Sequence, residues 1–177
     1  MKKGIVIIGA GGHGKVIADA IIKANQFDIL GFVDANLPVG TKVFGEYKII
    51  ESQENIEKLN NDSTQFIVGI GNNEVRKKIQ DQLASSISWA TIVHPSAVIS
   101  YNVVIGEGSV VLANAVINAD SKIGKFTIVD SGVIVDHECE IGSFSHLTIG
   151  TLIGSNSKLP TGTKTSLGQV FNPFTAL

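Results

Sequence analysis

At 177 residues the chain can hold one ordinary domain or two small ones, and 44% hydrophobic residues with 6% aromatics and 19 glycines favour tightly turning β-structure built from small side chains. A formal net charge of −2 without a cluster of Lys and Arg provides no field to gather nucleic acid. The single cysteine excludes an internal disulfide and suits a cytoplasmic location, and no apolar run nears the roughly 20 residues that span a bilayer, so neither nucleic acid nor a membrane is an expected partner.

The opening MKKGIVIIGAGG breaks into glycines after a short apolar run, which reads as a first strand over residues 3–8 and not as a leader. A tight loop from Gly9 to Gly14 follows, then a helix over residues 15–23 with Val16, Ile17, Ala20 and Ile21 on one face. The run DILGFVD at 28–34 is a second strand and TQFIVG at 64–69 a third, the latter followed by a helical stretch at 73–83. This order predicts a small parallel sheet with right-handed crossovers over residues 1–86. Gly9, Gly11 and Gly14 fit G-x-G-x-x-G between strand and helix, with Asp34 twenty residues beyond. Backbone N–H groups at such a helix start can hold phosphate, and a carboxylate ending the second strand can accept from a ribose or base. Only about one mononucleotide half of a dinucleotide fold fits before the pattern changes, so a nucleotide-sugar diphosphate suits the space better than NAD.

From Ile87 onward a six-residue period governs the chain: Val93 and every sixth residue to Leu159 is aliphatic, and a small or short side chain follows each four positions later. A prism whose three flat sides each take six residues gives that period, whereas helix and amphipathic strand do not. Gly106, Gly124 and Gly142 stand eighteen apart, one per coil, where glycine eases the corner. Four coils at about 4.8 Å each make a stub roughly 19 Å tall. Its apolar sides and open ends call for oligomerisation. The repeat is assigned to residues 87–163, and the tail 164–177 is expected to leave both periodicities.

His137 stands just past a corner in Val-Asp-His-Glu, flanked by Asp136, Glu138 and Glu140, which can orient an imidazole and favour its protonated form during turnover. His146 lies nine residues on, half a coil around the prism. His94 at the entry to the first coil reads as structural, and Cys139, at a small corner position, as packing. The 137/146 spacing does not match zinc-binding trimeric β-helices, and no metal is assigned.

GAGGHGKV, GFVD ending in Asp34, VGIGNNEVR at 68–76, IVHPSAVIS from Ile92 and IVDHECEIG at 134–142 together resemble the bacterial sialic-acid and UDP-amino-sugar acyltransferases, in particular the UDP-4-amino-sugar N-acetyltransferases of the bacillosamine pathway. The resemblance covers about residues 3–150. It implies an α/β Rossmann-like N-terminal domain holding the nucleotide sugar, a C-terminal left-handed parallel β-helix forming a homotrimer, and acetyl-CoA lying between neighbouring β-helices. Carried onto this sequence, it makes His137 the general base on the sugar amine and Glu138 the group that holds it. His146 and Gly150 would lie near the acetyl-CoA thioester. Gly11, Gly12 and His13 would surround phosphate and sugar, Asp34 the uracil or ribose, and Gly71, Asn72 and Arg76 the rest of the nucleotide pocket. The implied reaction is acetyl-CoA-dependent N-acetylation of a UDP-linked 4-amino-sugar for bacterial glycan biosynthesis. O-acetylation of a sialic acid or related sugar, and a catalytically impaired nucleotide-sugar-binding trimer module, are the alternatives. Two departures stand out. Ala35 replaces a second polar residue after Asp34, and His146-Leu-Thr-Ile-Gly-Thr replaces a proline-glycine turn leading to further coils, so weaker acetyl-CoA affinity is expected.

Overall fold

The computed structural model describes residues 2–83 and 86–177 and divides into two compact units, Met1–Ala90 and Thr91–Leu177. The boundary falls after Ala90 and not before Ile87 for a local reason. Phe66 N–H donates to the Ser88 carbonyl, and Ala90 N–H donates to the Phe66 carbonyl, which holds the connecting segment on the first unit.

In the first unit, β1 (Lys3–Ile8), β2 (Phe27–Asp34), β3 (Lys42–Phe44), β4 (Tyr47–Ser52) and β5 (Thr64–Val68) form a sheet of order β3-β4-β2-β1-β5. β1 lies parallel to both β2 and β5, and β4 is parallel to β2. The expected sheet is therefore present, but it is wider and mixed, because β3 pairs antiparallel with β4 at the edge. These two short strands escape a search for apolar runs: of β4 only Ile49 is fully buried, and of β3 nothing is. A 3₁₀ helix over Gln53–Leu59 also comes as an addition.

The first helix, α1 (Gly12–Ala24), begins inside the glycine loop and not at Lys15, and it buries Gly14, Ile17, Ala18 and Ile21 at i, i+3, i+4 and i+7. Of the expected face Ile17, Ala20 and Ile21 are buried, and Val16 is exposed. At Gly14 a Cβ would lie 2.1 Å from the Gly9 carbonyl oxygen, so only glycine lets the helix start press against the end of β1. A second helix, α2 (Asn73–Leu83), follows β5. Ile56 of the 3₁₀ helix and Ile79 of α2 pack with Val6, Ile8, Val33, Phe66 and Val68 into one core.

The second unit is a three-sided parallel β-helix. Two-residue strands start at Ile92–Val93 and recur every six residues to Lys158–Leu159, and each pairs with the strand eighteen residues away. Three ladders result. The first face carries Ile92, Val110, Ile128 and His146 outward, the second Val98, Val116, Ile134, Leu152 and Val170, and the third Val104, Lys122, Glu140 and Lys158. The second residue of each strand points inward, and from Val111 to Leu159 these residues stack into a continuous core at 0–3% exposure. In the corner row a buried Ser or Thr hydroxyl reaches a carbonyl fifteen residues on, as Ser109 does to Gly124 at 2.9 Å and Ser121 to Asp136 at 2.7 Å, or, at Thr151, the Thr148 carbonyl at 2.7 Å. No hydroxyl is buried there without a partner to receive it.

Two expectations about this unit are corrected. Residues 164–177 do not leave the repeat: Val170–Phe171 adds a fifth strand to the second face, and Lys164 and Ala176 bridge to His146 and Lys158. A count of aliphatics misses this because the inward position after Leu159 is Thr165, buried and hydrogen-bonded to Thr148 and Thr151, and the next is Phe171. The glycines at 106, 124 and 142 do not serve the turn itself, since the left-handed φ values lie elsewhere. A Cβ at these glycines would sit 2.5, 2.4 and 2.3 Å from backbone nitrogen of the next coil, so they permit close coil stacking.

Candidate active site

The groups expected to serve the site lie partly in each unit. In the first, Gly11 is the N-cap of α1, which has no side-chain cap and no acidic residue in its first turn. A Cβ built on Gly11 or Gly12 meets nothing within 4 Å. Space beside them is open, and the positive end of the helix dipole faces it uncovered by a side chain, as anion binding requires. His13 follows them in the first turn of α1.

Asp34 ends β2 and has two jobs. Its Oδ2 accepts from Ala10 N–H and its Oδ1 from Asn36 N–H, both at 2.9 Å, so it ties the glycine loop to the end of β2. Each oxygen still has a lone pair to offer. Asp34 lines a cavity of about 1020 Å³ at the carboxyl ends of the parallel strands, together with Gly9, Asn36, Glu54, Glu57, Ile70 and Lys78. Open α/β sheets bind ligands in such a position. Glu54, Glu57 and Lys78 were not among the expected residues, and only the neighbourhood created by the 3₁₀ helix and α2 brings them here.

Asn72 and Arg76 turn out to build the wall of this region without lining the cavity. Asn72 Oδ1 accepts from Val75 N–H at 3.0 Å, a cap for α2. Arg76 is 1% exposed and donates to the Ile70 carbonyl at 3.0 Å and to Asn73 Oδ1 at 2.8 Å. Burial pulls its guanidinium pKa down to about 10, so it remains charged at neutral pH while bracing the loop after β5. Gly71 lies in that same loop.

In the second unit His137 and Glu138 form the turn between the second and third faces. His137 Nδ1 is 2.9 Å from Glu138 Oε2, with side chains 51% and 57% exposed. An ionised carboxylate can only accept, so Nδ1 carries the proton and the Nε2 lone pair is left for a substrate. Asp136 Oδ1 accepts from His137 N–H at 2.9 Å and from Asn118 Nδ2 at 3.1 Å. Those two bonds, the first above all, hold the Asp136 carboxyl below its usual pKa despite a small opposing effect of burial.

His146 points outward from the first face, nearly buried, with Nε2 3.5 Å from Asp130 Oδ2. Gly150, at φ 70°, turns the chain from the first face to the second. A face of a three-sided prism lies opposite the edge that the other two share. One chain therefore separates His146 from His137, and a site using both draws them from different copies. His94 is buried, its Nδ1 accepting from Ser96 N–H at 3.1 Å, and Cys139 is buried with its thiol pKa raised by desolvation. Neither has the exposure of a reacting group. Among the described residues no group of His, Cys, Asp and Glu could hold a metal ion, and no helix is long and apolar enough to cross a membrane.

Residues 4–83 match the PglD N-terminal domain family. Over 116 residues the chain is 34% identical to the UDP-N-acetylbacillosamine N-acetyltransferase of Bacillus subtilis (strain 168), an alignment covering 63% of this chain and 52% of that protein. The chain is thus similar to acetyltransferases in sequence over part of its length and in fold over nearly all of it. It spans about half the length of that curated relative. The fold is also that of the acetyltransferase domain of PglB from Neisseria gonorrhoeae FA1090, with TM-score 0.75 and 28% identity over 97% of this chain and 86% of the other. A histidine-to-asparagine mutant of perosamine N-acetyltransferase from Caulobacter crescentus, in complex with CoA and GDP-perosamine, gives TM-score 0.81 and 25% identity over 98% and 90% of the two chains. The architecture shared with these solved structures is an α/β unit followed by a left-handed β-helix.

Proposed function

We propose that this chain transfers the acetyl group of acetyl-CoA to the amino nitrogen of a nucleotide-linked amino-sugar, a UDP-linked 4-amino-sugar in its specific form, as a step of bacterial glycan biosynthesis. The observation that carries the reading is the exposed His137–Glu138 pair on a prism edge, in a chain whose relatives are acetyltransferases. The amine attacks the thioester carbonyl, forming the C–N bond and a tetrahedral intermediate, and the C–S bond breaks when that intermediate collapses. His137 Nε2 takes the ammonium proton of the tetrahedral intermediate, without which the amine would be expelled again in place of the thiolate. Glu138 stabilises the resulting imidazolium, which then returns the proton to the departing CoA sulfur. The open amides at Gly11, Gly12 and His13 suit the diphosphate, and the cavity beside Asp34 suits the nucleoside. Gly71, Asn72 and Arg76 shape that pocket from behind. His146 and Gly150 of a neighbouring copy serve the thioester. Acetyl-CoA and nucleotide sugars are cytoplasmic metabolites, which places the reaction there.

The second face supports a homotrimer. Its outward residues Val98, Ile134, Leu152 and Val170 are 55%, 41%, 40% and 62% exposed, an apolar ridge running the height of the prism. Such a continuous ridge marks an interface, and the opposition of His137 to His146 asks for a neighbour. The test is CoA thiol release on mixing acetyl-CoA with UDP- and GDP-linked amino-sugars, at concentrations where light scattering reports the mass. Thiol release by a stable monomer would overturn the shared site, and no release with any nucleotide amino-sugar would overturn the activity.

A further inference from the structure

We infer that Asn156, one coil beyond the His137–Glu138 pair, is a positioning residue that sets the tautomer and aim of His137 by holding the Glu138 carboxylate; the inference rests on the proposed acetyl transfer. Asn156 meets the pair twice. Its backbone N–H donates to the His137 carbonyl at 3.0 Å, and its side-chain Nδ2 donates to Glu138 Oε2 at 3.3 Å. That oxygen is the one facing His137 Nδ1. Glu138 is more than half exposed, and a free glutamate in water would leave its neighbour for much of the time. A donor fixed in the β-helix ladder, eighteen residues on, removes that freedom.

The backbone explains why asparagine fits here. Residues 102, 120, 138, 156 and 174 form one column along this edge, all with φ between 57° and 62°. Asparagine tolerates that left-handed conformation better than most side chains. Along the column each carboxylate is held by a neighbouring amide, since Asn102 Nδ2 donates to Asp120 Oδ1 at 2.6 Å as Asn156 does to Glu138. Asp120 is thus engaged away from His137. On the other side of the imidazole, Asp136 is held by Asn118 and by the His137 N–H. The charged groups around His137 are therefore Asp136, Glu138, Asp120 and, on the adjoining strand, Glu140, which pairs with Lys158 at 3.5 Å. Of these Glu138 alone bonds the ring, and Asn156 steadies it.

If Nδ1 keeps its proton on Glu138, Nε2 always presents a lone pair. If Glu138 swings into solvent, both neutral tautomers form, and one of them has no basic nitrogen facing the amine. Asn156 then acts on kcat and not on substrate affinity.

The experiment compares the full chain with Asn156→Gly, which keeps the left-handed backbone while removing the donor, with Glu138→Gly, and with the double variant. Asn156→Gly is expected to lower kcat about 3- to 10-fold, the scale of one hydrogen bond, with both KM values within about twofold. In the Glu138→Gly background the same change should alter kcat less than about twofold, because a residue that acts through another is non-additive with it. Imidazole ¹⁵N NMR of His137 should show the Nδ1–H tautomer in the wild type and a mixture in Asn156→Gly. An unchanged kcat, an equal loss in both backgrounds, or an unchanged His137 tautomer would each overturn the positioning role. An inactive wild type would instead overturn the acetyltransferase reading, and the tautomer measurement would still decide the role of Asn156.

Discussion

Truncating His137 to alanine separates catalysis from folding because of where the side chain stands. His137 is about half exposed on a turn, outside the core built from the inward row of the β-helix, and its side-chain hydrogen bond is to the equally exposed Glu138. Loss of an exposed pair costs about 0–1 kcal/mol of stability, so the melting temperature should fall by no more than a few degrees. The rate responds differently. General-base assistance is typically worth about 10²–10⁴ in rate, or roughly 2.7–5.4 kcal/mol of barrier. His137→Ala should therefore lower kcat by about that factor while leaving the mass in solution and nucleotide-sugar affinity unchanged. The assay is CoA thiol release at saturating acetyl-CoA, with thermal melting and light scattering on the same samples. His94→Ala is not a neutral comparison, since His94 is buried and bonded to Ser96, and Lys125→Ala on an exposed turn is the better control. Retention of more than about a third of wild-type kcat in His137→Ala would refute the general-base role, because even the 10² lower bound would then fail.

Gly11→Val should leave the melting temperature nearly unchanged, because a Cβ there meets nothing within 4 Å, yet weaken nucleotide-sugar binding by about tenfold or more by obstructing the backbone amides; calorimetry checks it, and undiminished binding would move the phosphate site elsewhere. Gly142→Ala should destabilise by about 1–3 kcal/mol, since its Cβ would lie 2.3 Å from the Thr161 nitrogen and force two coils apart; an unchanged denaturation midpoint would contradict the stacking account. Acid titration should show a contribution from Asp136, whose folded-state pKa is depressed by the His137 N–H and Asn118. A depressed carboxylate stabilises above its unfolded pKa and loses that contribution as pH falls through the folded value. Asp136→Asn should thus flatten the loss of stability below about pH 4, with little change at pH 7 beyond the lost charge–dipole contact.

The periodic part of this protein was legible in the sequence because its code is local. A six-residue coil side places one inward aliphatic and one small corner residue at fixed spacing, and each coil meets only its neighbours eighteen residues away. The β1-loop-α1 unit was legible for a similar reason, as glycines at 9, 11 and 14 together with Asp34 mark a strand-to-helix turn. His137 beside Glu138 could be picked out because the two are adjacent in the chain. Tertiary structure decided the rest. Arg76 reads as a ligand-binding cation, but packing buries it as a brace for the loop after β5. Glu54, Glu57 and Lys78 face Asp34 only once the 3₁₀ helix and α2 fold over the same sheet. The last coil hid behind Thr165, whose inward side chain is satisfied by hydroxyls of Thr148 and Thr151 seventeen and fourteen residues back, so no aliphatic is needed there. Periodicity reports which side chains must leave water; which polar groups find partners, and across what distance in the chain, is settled only when the coils close upon one another.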